Sequence, residues 1–331
     1  MDFRETTTEG TGMTETPLVP VEAELVESPR PATEYVVYHR RKVRLPVFLF
    51  LATCMTTFYV GCQIVEPTGV ARWAQVQMPW GVENLNLHGG LVYMTAVMSI
   101  LLAHEMGHFI QALRYHVPAS LPFFIPVPLA PIGTMGAVIG MPGTNADRKQ
   151  MFDIGISGPL AGLVIALPVV WFGIQQSPVL AASPELLGGH GLTFGDPLLF
   201  KFLFRLAHPD QPTGAVYGMT PLLQAGWVGL LVTGLNMVPI SQLDGGHVSY
   251  ALFLKKAHLI ARAFLVMAVV SIVLFDLYSW TLMLMLILFI GSDHPPTRDD
   301  SVELGWGRRI LGYASLAIPI FCLTPVPLSL S

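Results

Sequence analysis

The chain has 331 residues, of which 52% are hydrophobic and only 12% charged, and its mean hydropathy is +0.57. Charged residues stand at roughly half the share usual in a soluble domain, which excludes a long water-soluble enzyme. The net charge of −4 offers no basic surface for phosphates, so a nucleic-acid binder is excluded as well.

The charge is unevenly placed. Residues 1–34 hold eight acids and two arginines, and the remaining 297 residues are net +2. The first segment is rich in Thr, Glu and Pro and cannot bury enough apolar surface to offset ordering entropy, so a disordered acidic tail is expected over 1–38. It is too acidic for a transit peptide and lacks a cleavable apolar start. Residues 39–331 then form one membrane-embedded domain. Arg40, Arg41, Lys42 and Arg44 precede Leu45–Val65, an uncharged run of 21 residues that is long enough to cross a bilayer. Cations in front of a first span place the N-terminus in the cytosol.

Further apolar runs cover Gly89–Leu113, Ile154–Ile174, Leu222–Val238 and Ile310–Val326. The stretch Ala263–Gly291 is interrupted by Asp276–Ser279 and reads as one long helix or as a hairpin. With the hairpin, 13 Lys/Arg fall on the cytosolic side and three opposite; with a single helix the count is ten against six. The positive-inside rule therefore favours the hairpin. The expected fold is an all-α polytopic membrane protein with about six to seven transmembrane helices.

Two connections break the helical pattern. Residues 117–143 carry five prolines between 118 and 131, then Gly133–Ile139. Such a segment cannot be a regular helix and reads as a re-entrant loop with a short strand, tolerated only beside protein or a water-filled cavity. Residues 175–221 are too few for a compact inserted domain, although Leu198–Leu206 has the pattern of an amphipathic helix lying on the membrane.

The chemistry sits in His104-Glu105-Met106-Gly107-His108. On a helix, positions i and i+4 share a face, so two imidazoles can grip one zinc ion, with the intervening Glu105 as general base. A Glu in a spanning helix costs on the order of 2.5–3.5 kcal/mol, so it normally serves a site. The extended soluble pattern H-E-x-x-H-x-x-G-x-x-H fails at Gln111 and Arg114, and His116 lies past the basic end of the helix. A third ligand must come from elsewhere. Asp276 falls at the wrong end of its segment, and Asp147 and Asp153 flank Arg148 and Lys149 as expected ion-paired loop acids. Asp244 ends the fourth run on the same side as His104 and His108, which makes it the candidate ligand. Cys54, Cys62 and Cys322 form no CxxC pair and indicate neither a disulfide framework nor a thiolate site.

Four pieces together resemble the site-2 protease family of intramembrane zinc metalloproteases. They are His104–His108 in a spanning helix, the proline-rich segment ending in Gly133–Ile139, Ser157-Gly158-Pro159-Leu160-Ala161-Gly162, and Asn236 with Pro239 ahead of Asp244-Gly245-Gly246. The resemblance covers most of 89–250, the expected catalytic core. It implies that His104, His108 and Asp244 bind Zn2+, that Glu105 is the catalytic acid/base, and that the partners are transmembrane protein substrates within the lipid bilayer. It also places the strand edge Gly133, Thr134, Met135 and Gly136 beside the substrate.

The chain departs from the family in two ways: no PDZ module fits, and the spacing from Asn236 to Asp244 is long. Asn236 either hydrogen-bonds the substrate backbone or satisfies the helix end. His247 reads as a partner behind the ligands or as an interfacial residue, and His294 as part of a turn. A metal-ion transporter and a catalytically silent scaffold are the rival readings. The short tail without a targeting signal points to the plasma membrane of a prokaryote.

Overall fold

The computed structural model describes residues 43–64, 86–128, 132–141, 145–180, 192–212, 216–291 and 294–330; the acidic tail expected over 1–38 lies outside them. The chain is mostly helical. Among the described residues, four helices are long and apolar enough to cross a membrane: α1 (Arg44–Cys62), α2 (Leu87–Arg114), α3 (Arg148–Gln176) and the one spanning Lys256–Leu274. Their starts follow from local chemistry. The Asn86 side chain accepts from Gly89 N at 2.7 Å and caps α2. Asp147 and Gln150 form a reciprocal capping box at α3, which satisfies two otherwise unpaired N–H groups.

Shorter elements complete the order: β1 (Phe123–Pro126) and β2 (Thr134–Val138) before α3, then β3 (Val179–Leu180), β4 (Leu192–Phe194), α4 (Leu198–Ala207), β5 (Val216–Tyr217) and α5 (Pro221–Asn236). After these come α6 (Asp244–Phe253), α7 (Lys256–Leu274), α8 (Thr281–Ile290), α9 (Gly305–Ser315), α10 (Ile318–Cys322) and β6 (Leu328–Leu330). Thr220 caps α5, and Pro221 stands at its first position, where a missing N–H costs nothing. The stretch left ambiguous by the sequence is a hairpin: α7 ends at Leu274, Asp276 turns at φ 54°, and the chain returns as α8.

Helix α2 packs against α1, α3 and α5, and α3 packs in turn against α5 and α6. One cluster joins Tyr93, Val97 and Leu101 of α2 to Trp227, Val228 and Leu231 of α5 and to Phe124 and Ala137 of the β1–β2 pair. The strands form three antiparallel two-stranded ladders, β1–β2, β3–β5 and β4–β6. The strand expected within Gly133–Ile139 is β2, paired as Phe123 to Val138 and Phe124 to Ala137. The turn before it is pinned from two sides: Tyr93 donates its hydroxyl to Ile132 O at 2.8 Å and Thr56 to Gly133 O at 2.7 Å. Gly133 has φ +82°, and a Cβ there would lie 2.9 Å from Thr57 Cα.

Asp147 and Asp153 are not loop acids paired with the cations beside them. Asp147 caps α3 and approaches Arg298 at 3.6 Å. Asp153 lies within α3 and takes a two-pronged contact from Arg308 of α9 at 2.7 and 2.8 Å, with the Tyr115 hydroxyl donating to the same carboxylate. Arg148 is spent elsewhere, donating to Ala251 O at 2.6 Å. Helix geometry sends neighbouring side chains in different directions, so adjacency in sequence did not pair them.

Arg308→Ala strands the Asp153 carboxylate and is expected to lower the apparent Tm in detergent by roughly 4–8 °C. Arg308→Lys is expected to recover only part of this, because an ammonium cannot fork across both oxygens. A Tm unchanged in both variants contradicts a clamp between α9 and α3.

Candidate metal centre

His104 and His108 occupy successive turns on one face of α2 and are buried, as is Glu105 between them, with 2%, 5% and 3% of their surface accessible. The opposing carboxylate comes from the first residue of α6. Asp244 Oδ2 lies 3.0 Å from His104 Nε2, Asp244 Oδ1 lies 3.2 Å from His108 Nε2, and the two Nε2 atoms are 3.2 Å apart. One ligand atom from each of the three residues lies within 4.8 Å of the others, close enough for all three to reach one ion at about 2.0–2.1 Å.

The hydrogen bonding around this group suits a set of metal ligands. His108 donates Nδ1–H to Ile154 O at 2.7 Å, and in the neutral, ligating form of the ring this leaves the Nε2 lone pair toward Asp244. His104 Nε2 is crowded by Asp244 Oδ2, His108 Nε2 and Asn236 Nδ2, the last at 3.2 Å. A single ring nitrogen has one in-plane position for a partner. Lone pairs of two imidazoles and a carboxylate facing one point repel unless a cation lies between them. The donor set, two nitrogens and an oxygen with a further position for water or substrate, fits Zn2+. Among the described residues it is the one group of His, Cys, Asp and Glu placed to hold a metal.

The third helix makes room for these rings. A Cβ on Gly158 would lie 2.0 Å from His108 Nε2, and one on Gly162 would lie 3.2 Å from His104 Nδ1. The two glycines are four residues apart, like the two histidines. One turn of α3 thus receives one imidazole, and the next turn receives the other. On the adjoining part of α3, a Cβ on Gly155 would lie 2.9 Å from His247 Cβ of α6. Gly245 and Gly246, in the first turn of α6, have the same function against the loop before Asp244, where added Cβ atoms would meet Met237 O at 2.1 Å and Ser241 O at 2.2 Å.

Sequence reasoning named His104, Glu105, His108, Asp244 and Asn236, and the structure brings these together. His116 stays outside the group. Gly133, in the turn, and Thr134, Met135 and Gly136, in β2, lie apart from this group; Gly136 faces Val232 of α5, one turn before Asn236. Missed in the sequence were the matching glycine and histidine spacings, the Ile154 carbonyl and the partnership of His247 with His294. His294 Nδ1–H donates to the Pro295 carbonyl, which leaves Nε2 to accept from His247 Nδ1–H at 2.6 Å. Tyr250 stacks on His294 at 4.5 Å, and His258 donates to the His294 carbonyl at 3.1 Å. Burial, reinforced by the other ring, holds His247 well below the usual imidazole range, and burial holds His294 down to about 4.

Gly158→Ala is expected to abolish stoichiometric metal binding, because the methyl group and the His108 ring cannot coexist. Gly162→Ala should retain most of it; metal analysis of the purified variants checks both. The imidazole pair carries a pH signature. Below an ordinary value of about 6.5 the unfolded chain takes up protons that the folded pair refuses. Its contribution is therefore complete above about 6.5 and falls as pH drops toward 4. Replacing His294 by Asn should flatten the Tm–pH profile between these limits.

Residues 92–275 match peptidase family M50. The chain is 36% identical over 162 residues to "Probable zinc metalloprotease EGY1, chloroplastic" of Oryza sativa, covering 49% of this chain and 28% of that protein. It is 29% identical over 245 residues to the protein of the same name in Arabidopsis thaliana, covering 70% and 42%. It is also 29% identical over 182 residues to "Probable zinc metalloprotease EGY2, chloroplastic" of Arabidopsis thaliana, covering 53% and 31%. The matched region thus spans less than half the length of these relatives. No solved structure matches. The chloroplastic relatives overturn the expectation of a prokaryotic plasma membrane: flanking cations report which side of a bilayer a span enters from, not which bilayer it enters. With the family match covering more than half of its length, the chain belongs to peptidase family M50, the family of the site-2 proteases.

Proposed function

We propose that the chain is a zinc-dependent endopeptidase that hydrolyses peptide bonds in or near transmembrane helices of membrane-protein substrates, and that it works in a plastid membrane. The observation that carries this reading is the convergence of Asp244 on the two Nε2 atoms of a helix that itself crosses the membrane. His108 stands six residues before the end of α2, or about 9 Å along its axis, so the centre lies below the membrane surface. The catalytic core is about 89–250, supported by the family match over 92–275. We read three further crossings, by α5, by α8 and by α9 with α10, in addition to the four long helices, in keeping with the six to seven expected from the apolar runs.

His104, His108 and Asp244 would hold the ion, which supplies a Lewis acid that acidifies water and polarises the scissile carbonyl. Glu105, buried on the same helix turn, takes the proton of the attacking water on a carboxylate oxygen and delivers it to the leaving amine. The more accessible flank is that of Asp244, whose side chain is 14% exposed against 3% for His104, so water enters from the α6 side. Asn236 holds a carboxamide beside His104, placed to hydrogen-bond the substrate backbone.

A substrate helix hides its carbonyls in i to i−4 hydrogen bonds and must unwind before cleavage. Strand β2 pairs with β1 along one edge, and its other edge replaces the lost bonds by β-augmentation. Gly133, Thr134, Met135 and Gly136 are the residues of this substrate-facing segment. Helix-weakening residues in the substrate then favour cleavage.

The test uses wild type and Glu105→Gln purified in detergent, with metal analysis and a model transmembrane substrate. Both are expected to bind zinc, and the variant should lose at least ~10²-fold in cleavage. Cleavage by Glu105→Gln at the wild-type rate refutes the assignment of the base. Ion flux in liposomes without cleavage by either form refutes the protease reading.

A further inference from the structure

The connection between α3 and α5 carries a surface that the proposed peptidase reaction does not use. Helix α4 has two distinct faces. Phe200 is 1% exposed and, with Leu203, Phe204 and Ala207, packs against Val170 and Ile174 of α3 and Leu223 of α5. His208 Nε2–H reaches Ile174 O at 3.4 Å, and Trp227 donates to Gly195 O at 2.7 Å just before the helix. The outward face carries Leu198, Phe202 and Leu206, which are 51%, 65% and 61% exposed. Lys201 and Arg205 lie in the same face, both exposed. Neither has an ion-pair partner among the described residues.

The depth of α4 follows from the helix it rests on. Helix α3 has 29 residues and is about 43 Å long, against a hydrocarbon slab of about 30 Å. Its charged first turns, Arg148 to Asp153, stand outside the slab, and about 30 Å, or about 20 residues, counted from Ile154 ends near Gly173; Ile174 to Gln176 therefore reach the headgroup layer, and α4 packs on this end of the helix. They belong to the end of α3 remote from Gly158 and His108, so α4 lies at the membrane face opposite the metal centre. A helix at that level with three adjacent apolar side chains and two cations on its outer face matches one surroundings chemically. The apolar groups enter the acyl boundary, and the cations meet negative headgroups. Asp196, the acid just ahead of the helix, accepts from the Tyr217 hydroxyl and lies within electrostatic reach of Lys201 without forming an ion pair with it.

We propose that α4 is an in-plane anchor that selects anionic lipid, with Lys201 and Arg205 contacting headgroup phosphates and Leu198, Phe202 and Leu206 seated in the leaflet. The proposal rests on the membrane placement of α3 and not on the peptidase reading. The test places an environment-sensitive fluorophore at Phe202→Cys in the full chain. Cys54, Cys62 and Cys322, half-buried or buried, serve as the labelling control in the unsubstituted protein. The chain is reconstituted in phosphatidylcholine vesicles with and without phosphatidylglycerol, and quenching by headgroup-nitroxide lipids is measured.

The expected result is lipid-buried emission, with quenching by nitroxide phosphatidylglycerol roughly fivefold or more stronger than by nitroxide phosphatidylcholine. The Lys201→Gln/Arg205→Gln variant should lose that preference while keeping its zinc content and its lipid-buried emission. Water-exposed emission in both vesicles overturns the proposal. Equal quenching by the two lipids overturns the anionic selectivity, and shielding that grows with protein density assigns the face to a second copy of the chain instead.

Discussion

Three electron-rich groups meet in a buried, low-dielectric site: the Nε2 atoms of His104 and His108 and the carboxylate of Asp244. Their mutual repulsion is severe there, because little solvent screens it. A divalent cation converts that repulsion into binding. The surrounding structure keeps the three groups in place against it. Ile154 O takes the only proton of the neutral His108 ring, which commits Nε2 to the centre. Such a carbonyl behind a ligand sets both tautomer and ring orientation.

Holding imidazoles between closely packed helices requires space where a side chain would otherwise stand. Helix α3 supplies it with Gly158 and Gly162, set at the same one-turn interval as the histidines they receive. Gly107 of α2 shortens the distance further, since a Cβ there would meet Ser157 O at 2.5 Å. The Ser157–Gly162 motif is thus the complement of the H-E-x-x-H motif, one helix carrying the rings and the other the recesses. Gly155 extends the same device to α6 and so bears on the placement of Asp244.

The β1–β2 pair is held by the helices around it. Tyr93, fully buried, and Thr56 grip the Ile132–Gly133 carbonyls, so the turn before β2 is tied to both α2 and α1. Non-helical backbone at a membrane-embedded position needs such partners because lipid provides none. Gly136 of the strand faces Val232 of α5, whose last residue is Asn236, and α2, which carries both histidines, also packs on the strand.

Much of this was legible in the chain itself. Apolar runs longer than a bilayer is thick can form only helices or barrels, and H-E-x-x-H on one helix face needs no partner to be recognised, since a turn of helix dictates its geometry. The break at Asp276 and the strand after Gly133 were likewise local, one from interrupted hydropathy and the other from prolines that forbid helix. Tertiary structure decided what depends on distance through space. It gave Asp153 to Arg308 rather than to neighbouring cations and joined His247 to His294 across 47 residues. It also aligned two glycines with two histidines and paired β4 with the C-terminal β6. Composition and periodicity describe one element at a time, whereas these contacts arise only when helices from separate parts of the chain pack and their side chains compete for the same few ångströms.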